Sequence, residues 1–196
     1  MVQVWGDANS GNCQKVTLLC DHLGLAYDWR EVDLARGDTR TTEFRALNPA
    51  GQVPVVVLDD GRTLAQSNAI LAYLADGTAL LPDDPFRRAK VFEQLFWEQY
   101  SHEPYIAVCR FQMVYQGKPA QAREPWRVAR GEAALDLMER RLAEHAWIAD
   151  ATMTIADIAL LAYTRLAPEG GFELASRPHV VDWIARCAEN LQRAPG

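Results

Sequence analysis

Hydrophobic and polar positions change their period several times along this chain. Val2-Gln3-Val4-Trp5 alternates as a half-buried strand does, Gly6 to Asn12 is polar, and from Cys13 the apolar positions Val16, Leu19, Cys20 and Leu23 recur at helical spacing until Gly24 stops them. Tyr27 to Leu34 alternates again, and Thr41 to Leu47 reads as a short helix. Pro54 has no N–H to give to a ladder, so it can only open the strand formed by Val55-Val56-Val57-Leu58. Asp59-Asp60-Gly61 is hairpin-turn chemistry, which sends the chain back through Arg62-Thr63-Leu64 before a helix over Ser67 to Ala75.

The order βαβ, then α, then ββα is that of a thioredoxin-like α/β domain, expected over residues 1–80. Leu80-Leu81-Pro82-Asp83-Asp84-Pro85 changes the character of the chain, with prolines and acids that stop one helix and cap the next. Everything after it reads helical, and an all-α domain is expected over residues 86–196. Its helices run from Phe86 to about Tyr115 with a kink at Glu103-Pro104, then over Glu124 to Glu144, Thr154 to Leu166 and Arg177 to Leu191. In the first of them Phe92, Leu95, Phe96 and Gln99 form one stripe, and Val91, Trp97 and Tyr100 carry apolar surface beyond it. Two buried faces are expected there, one of them at a domain or subunit interface. Thr154-Ile155-Ala156-Asp157 is a capping-box pattern that gives Asp157 a structural part, and Arg193 to Gly196 is expected to fray.

With 196 residues, 49% of them hydrophobic and 23% charged, the chain can bury a sizeable core. A formal charge of −6 without any Lys/Arg cluster argues against nucleic acid and against an anionic membrane surface. An anionic ligand would then be held by local dipoles and a few side chains. No apolar run approaches the ~20 residues of a membrane span, and the start lacks a basic segment followed by an apolar one, so a cytoplasmic protein is expected. Cys13, Cys20, Cys109 and Cys187 form no Cys-x-x-Cys pair and are expected as free thiols. The histidines are scattered with no second ligand at metal-binding spacing, so no metal is expected.

The most informative stretch is Asn48-Pro49-Ala50-Gly51-Gln52-Val53-Pro54, running through the hairpin to Gln66-Ser67-Asn68-Ala69-Ile70. The residue before a proline is pushed toward extended geometry, so Val53 offers its backbone as an unpaired strand edge beside the helix that starts at Ser67. Each of these suits part of a peptide-like ligand that carries carboxylates. The block resembles the glutathione site of cytosolic glutathione transferases, where the proline is cis, and the all-helical second domain with its capping motif fits the same family. The resemblance covers essentially the whole chain. It implies the glutathione transferase fold, a homodimer, and glutathione bound as co-substrate. Gln66 and Ser67 match the pair that holds the γ-glutamyl carboxylate and amine, Val53 and Pro54 the backbone-pairing edge, and Gln52 stands where a side chain could reach the glycyl carboxylate.

Asn9-Ser10-Gly11-Asn12-Cys13, in the first β-to-α loop, resembles the loop of bacterial Ser-dependent members of theta-, delta- or nu-like kind, with Ser10 at the hydroxyl position and Asn12 at the nu-like asparagine. There is no Gly-x-Ser-x-Gly elbow and no His/Asp pair marked out as a base, so Ser10 is read as a donor to sulfur rather than a nucleophile. Lowering a thiol pKa from about 8.5 by about 2 units takes roughly 2.7 kcal/mol. A charged hydrogen bond contributes about 1.5–3 kcal/mol and a helix N-terminus about 0.3–1, so one hydroxyl at one helix end suffices. Cys13, in the first helical turn, is read as a buried spacer.

These readings converge on a glutathione transferase that adds the glutathione thiolate to a hydrophobic electrophile, the chemistry of detoxification. Tyr105, Cys109 and Phe111 are the candidates for an electrophile pocket, expected between the domains. Two alternatives stand beside it: a glutathione-dependent disulfide reductase or peroxidase, and a transferase-like interaction protein without turnover.

Overall fold

The computed structural model describes residues 1–192, so the expected fraying of Arg193 to Gly196 lies outside the described residues. The chain divides into two units, Met1–Asp76 together with the segment from Leu191, and Gly77–Asn190. The division thus falls ahead of residue 80. Leu80 and Leu81 are buried, and the Leu80 carbonyl accepts the Ile155 amide at 3.0 Å, which ties this pair to the core of the second unit.

The first unit is a mixed sheet of β1 (Val2–Gly6), β2 (Tyr27–Glu31), β3 (Val55–Val57) and β4 (Thr63–Ala65), in the order β2-β1-β3-β4. β1 runs parallel to β2 and antiparallel to β3, and β3 is antiparallel to β4. Among its described residues three α-helices accompany it: α1 (Gly11–Leu23), α2 (Thr42–Leu47) and α3 (Ser67–Leu74). Val4, Val16, Cys20, Val56 and Ile70 form the core between the sheet and α1 and α3, while Phe44 of α2 packs with Val32 and Val55 in a second cluster. This is the expected thioredoxin-like α/β arrangement. β2 stops at Glu31, short of Leu34, because the aspartates that follow bond the backbone themselves. Asp33 accepts the Arg36 amide at 3.0 Å and Asp38 accepts the Asp33 amide at 3.0 Å, an alternative to ladder pairing. The hairpin closes as its turn residues require, with Gly61 at φ 82° and the Leu58 amide donating to the Arg62 carbonyl at 2.9 Å.

The second unit is all helical: α4 (Pro85–Trp97), α5 (Glu103–Val114), α6 (Pro125–Glu144), α7 (Ile155–Thr164) and α8 (Pro178–Gln192). The expected kink takes the form of a π-helical turn over Glu98–His102. Pro104 has no N–H for the carbonyl one turn earlier and its ring crowds that carbonyl, so the helix widens just before it. α7 begins in the capping box read from the sequence. The Asp157 carboxylate accepts from the Thr154 amide at 2.9 Å, and also from the Ile148 amide at 2.9 Å and the Trp183 indole at 3.0 Å. Among the described residues no helix is long and apolar enough to cross a membrane.

Candidate active site

The sheet register brings three separate chain segments to one edge. Trp5 pairs with Val55 and Val55 with Ala65, so β1 leaves the sheet where β3 enters it and where β4 ends. The loop that carries Ser10, the Val53-Pro54 step and the Gln66-Ser67 step therefore share one end of the first unit.

Ser10 occupies the N-cap position of α1 with extended backbone angles, yet its side chain caps nothing. The loop is held instead by Asp7, which is buried. Its carbonyl accepts the Ser10 amide at 2.9 Å, and its carboxylate accepts the Asn9 amide at 2.8 Å and the Leu34 amide at 3.4 Å. The Ser10 hydroxyl meets the thiol of Cys13, a weak hydrogen-bond partner. Cys13 itself has no exposed surface, and burial pushes its thiol up to about 12, with the Ser10 bond a smaller opposing influence. The thiolate needed for redox exchange or nucleophilic attack is thereby disfavoured.

Across the loop, the Ser67 hydroxyl donates to the Asn12 side-chain carbonyl at 3.0 Å. Lys15, buried completely, donates through Nζ to Ser67 Oγ and to Asn68 Oδ1, both at 3.4 Å. Ser67 is the first residue of α3, so its amide lies at the positive end of that helix. Gln66 before it is exposed and takes φ 70° and ψ 110°, a conformation that side-chain-bearing residues rarely adopt.

The Val53-Pro54 peptide is cis, as the resemblance implies. Val53 packs its side chain against Val32, Phe44 and Val55, and among the described residues its amide and carbonyl enter no backbone hydrogen bond. Asn48 ties the preceding loop shut, donating to the Gln52 carbonyl at 2.7 Å and accepting the Ala50 amide at 3.1 Å. The Gln52 side chain is left exposed.

The expected pocket residues of the second unit do not gather at one place. Tyr105 borders a cleft of about 260 Å³ with Trp97, Tyr100 and Arg130, and its hydroxyl accepts from Arg130 at 2.9 Å. Cys109 is buried in the core, where desolvation raises its thiol. Phe111 is exposed and stacks on Tyr115 at 5.1 Å.

Sequence reasoning gave no role to Asp7, Lys15 or Asn48, all of them buried polar residues that hold this end of the sheet together. For Lys15 a signal existed: it lies one helical turn before Leu19 and one after Gly11, on a stripe that is otherwise apolar or small.

Comparison with known proteins gives the family of the chain. Residues 9–76 match the model of the glutathione S-transferase N-terminal domain, and residues 93–190 that of the glutathione S-transferase C-terminal domain. Glutathione S-transferase 2 of Anopheles gambiae is 31% identical over 187 residues, covering 91% of this chain and 88% of its own. A glutathione S-transferase structure from Pseudomonas fluorescens superposes with a TM-score of 0.91 at 48% identity, covering 94% of this chain and 93% of that one. Another from Xanthobacter autotrophicus gives 0.91 at 45% identity, covering 96% and 93% respectively. With both family domains matched in order and relatives aligned over almost their whole length, the chain belongs to the glutathione S-transferase family.

Proposed function

We propose that this glutathione transferase ionises its co-substrate through Ser10, in the manner of the Ser-dependent theta-, delta- or nu-like members. One observation carries the reading: the Ser10 hydroxyl stands at a helix N-cap without capping, and its partner is the fully buried thiol of Cys13, whose ionisation burial disfavours. A thiolate arriving at the loop is a far better acceptor than Cys13, so the hydroxyl can turn to it without leaving a strong bond behind.

Glutathione would pair its backbone with Val53 beside Pro54 and set its γ-glutamyl carboxylate on the Ser67 amide at the start of α3, with Gln66 at its amine. Gln52 would reach the glycyl carboxylate, and Asn12 would stand with Ser10 at the sulfur. The free Val53 amide and carbonyl and the exposed side chains of Gln52 and Gln66 support these roles. The co-substrate is proposed as an apolar electrophile, with Tyr105, on its open cleft, the best supported of the three pocket candidates. Exposed rings at Phe86, Phe96 and Tyr100 support assembly as a homodimer, and a cytoplasmic location suits the free thiols.

The test is the pH dependence of kcat/KM for glutathione with an aromatic halide as acceptor. Ser10→Ala removes one charged hydrogen bond of about 1.5–3 kcal/mol, so the apparent thiol pKa should rise by about 1–2 units while glutathione affinity changes little. An unmoved pH profile in Ser10→Ala sinks the assignment.

A further inference from the structure

The second unit holds a cavity of about 280 Å³ that the glutathione chemistry does not use, between Glu93, Gln94 and Trp97 of α4 and Leu137, Met138 and Arg141 of α6. Met138 and Ile148 are almost wholly buried, whereas Glu93 and Leu137 keep exposed surface, so the depth is apolar and the rim carries charge. Trp97 and Leu137 form the wall it shares with the cleft at Tyr105. Its polar groups have bonding capacity left over. Lys90 Nζ and Gln94 Nε2 both donate to the same oxygen of Glu93, Oε1, at 2.5 Å and 3.0 Å. Among the described residues Glu93 Oε2 and the carbonyl of the buried Gln94 accept no hydrogen bond, and the Arg141 guanidinium makes none, its Nε being buried without an acceptor. The Lys90 bond, and in smaller part the charge of Arg141, hold the Glu93 carboxyl below its ordinary range, so the two sides of the rim lie within electrostatic reach.

We infer that this cavity binds a free α-amino acid with a large apolar side chain, its carboxylate on Arg141, its ammonium on Glu93 Oε2 and the Gln94 carbonyl, and its side chain between Trp97, Leu137, Met138 and Ile148. Buried polar groups ordinarily find partners, so spare donors and spare acceptors around one apolar hollow call for a ligand that carries both. A plain carboxylate would leave the two acceptors empty and meet the charge of Glu93, and a plain amine would leave the guanidinium empty. A zwitterion with an apolar side chain satisfies each of them. Lys90 already shares Glu93 and stands against the ammonium, so the carboxylate end carries most of the recognition. At about 280 Å³ the cavity falls at the small end of ligand pockets, about 300–1,000 Å³, which suits one amino acid and not a peptide. The inference is independent of the glutathione site, whose proposed residues belong to the first unit.

Titration calorimetry of the full chain with L-phenylalanine, in the presence of saturating glutathione, tests this. Saturable binding is expected. L-phenylalaninamide, which lacks the carboxylate, should bind on the order of tenfold more weakly, and N-acetyl-L-phenylalanine, which lacks the ammonium, about threefold more weakly. Arg141→Met should weaken L-phenylalanine on the order of tenfold while leaving the amide where it was, and Arg141→Lys should recover part of the loss. Equal affinity for the acid and the amide, or an unmoved affinity for L-phenylalanine in Arg141→Met, overturns the inference. Displacement of L-phenylalanine by S-hexylglutathione puts it in the catalytic site and overturns it too. No saturable binding to wild type does the same, the cavity then being covered by a second copy of the chain or closed in solution. Should Arg141→Met fail to fold, Leu137→Trp fills the cavity from its exposed wall and is expected to abolish binding of L-phenylalanine. Retained affinity in Leu137→Trp overturns the inference equally.

Discussion

Gly6 and Cys13 share one volume. A Cβ on Gly6 would stand 2.7 Å from the Cys13 sulfur and 2.8 Å from the Trp29 ring, so the first turn of α1 can rest on the end of β1 only because position 6 has no side chain. The loop that carries Ser10 is seated by this contact, and its geometry depends on the packing of Gly6, Cys13 and Trp29.

Gly6→Ala should therefore destabilise the first unit by about 1–3 kcal/mol, the usual cost of forcing atoms into a packed interior. Adding Cys13→Ala should recover only part of it, since the Trp29 ring remains in the way. Denaturant midpoints of the two variants measure this, and full recovery in the double variant would show that Trp29 yields freely.

Cys13 should be inert. It is fully buried and its thiol is pushed far up by desolvation, so oxidised glutathione should leave it unmodified by mass spectrometry and Cys13→Ser should keep most of its activity toward an aromatic halide. A stoichiometric glutathione adduct on Cys13, with activity lost in Cys13→Ser, would instead put disulfide reduction first.

Asp157→Ala should cost more than an ordinary helix cap. The carboxylate serves the amides of Thr154 and Ile148, the Thr154 hydroxyl and the indole of Trp183, and its removal strands four buried donors. At about 1–3 kcal/mol each the loss should reach roughly 3 kcal/mol or more, against about 1 for a typical cap. Equilibrium unfolding reads the loss, and the KM for glutathione of the folded enzyme should not move.

Alkaline stability should fall through the buried thiols. Burial raises Cys13 to about 12 and Cys20 to about 11 from an ordinary 9.0, and Cys187 is raised as well. Above pH 9 the unfolded chain releases protons that the folded chain still holds, so stability declines as pH rises through that window. Each thiol contributes a slope of at most about 1.4 kcal/mol per pH unit. Urea titrations at about pH 8 and about pH 10 should show the decline, and Cys20→Ala should flatten it; parallel curves for the two proteins would contradict the account.

What the sequence made legible was local. The strand that Pro54 opens, the hairpin at Gly61 and the capping box at Thr154 are each written within a few residues, and each stands where its chemistry requires. The cis Val53-Pro54 step and the helix start at Ser67 were legible for the same reason, since the block that holds them is short. Lys15 was not, because its partner Ser67 lies 52 positions away and a lysine on a helix ordinarily points to water. Asp7 escaped for a similar reason: an aspartate in a polar loop reads as solvated until the fold brings the Leu34 amide to it. At Pro104 the kink was readable from the missing N–H, but its form, a π-helical turn just ahead of the proline, was not.

The backbone of Gln66 holds an uncommon conformation at the start of α3. At φ 70° and ψ 110° a residue with a side chain carries strain of about 1–3 kcal/mol, while glycine would relieve it and give back only about 0.5–1 through the freedom of the unfolded chain. A laboratory selection for heat resistance alone should accordingly favour Gln66→Gly, and, on the role proposed for Gln66 at the glutathione amine, it would enrich enzymes that survive longer while holding their co-substrate less well.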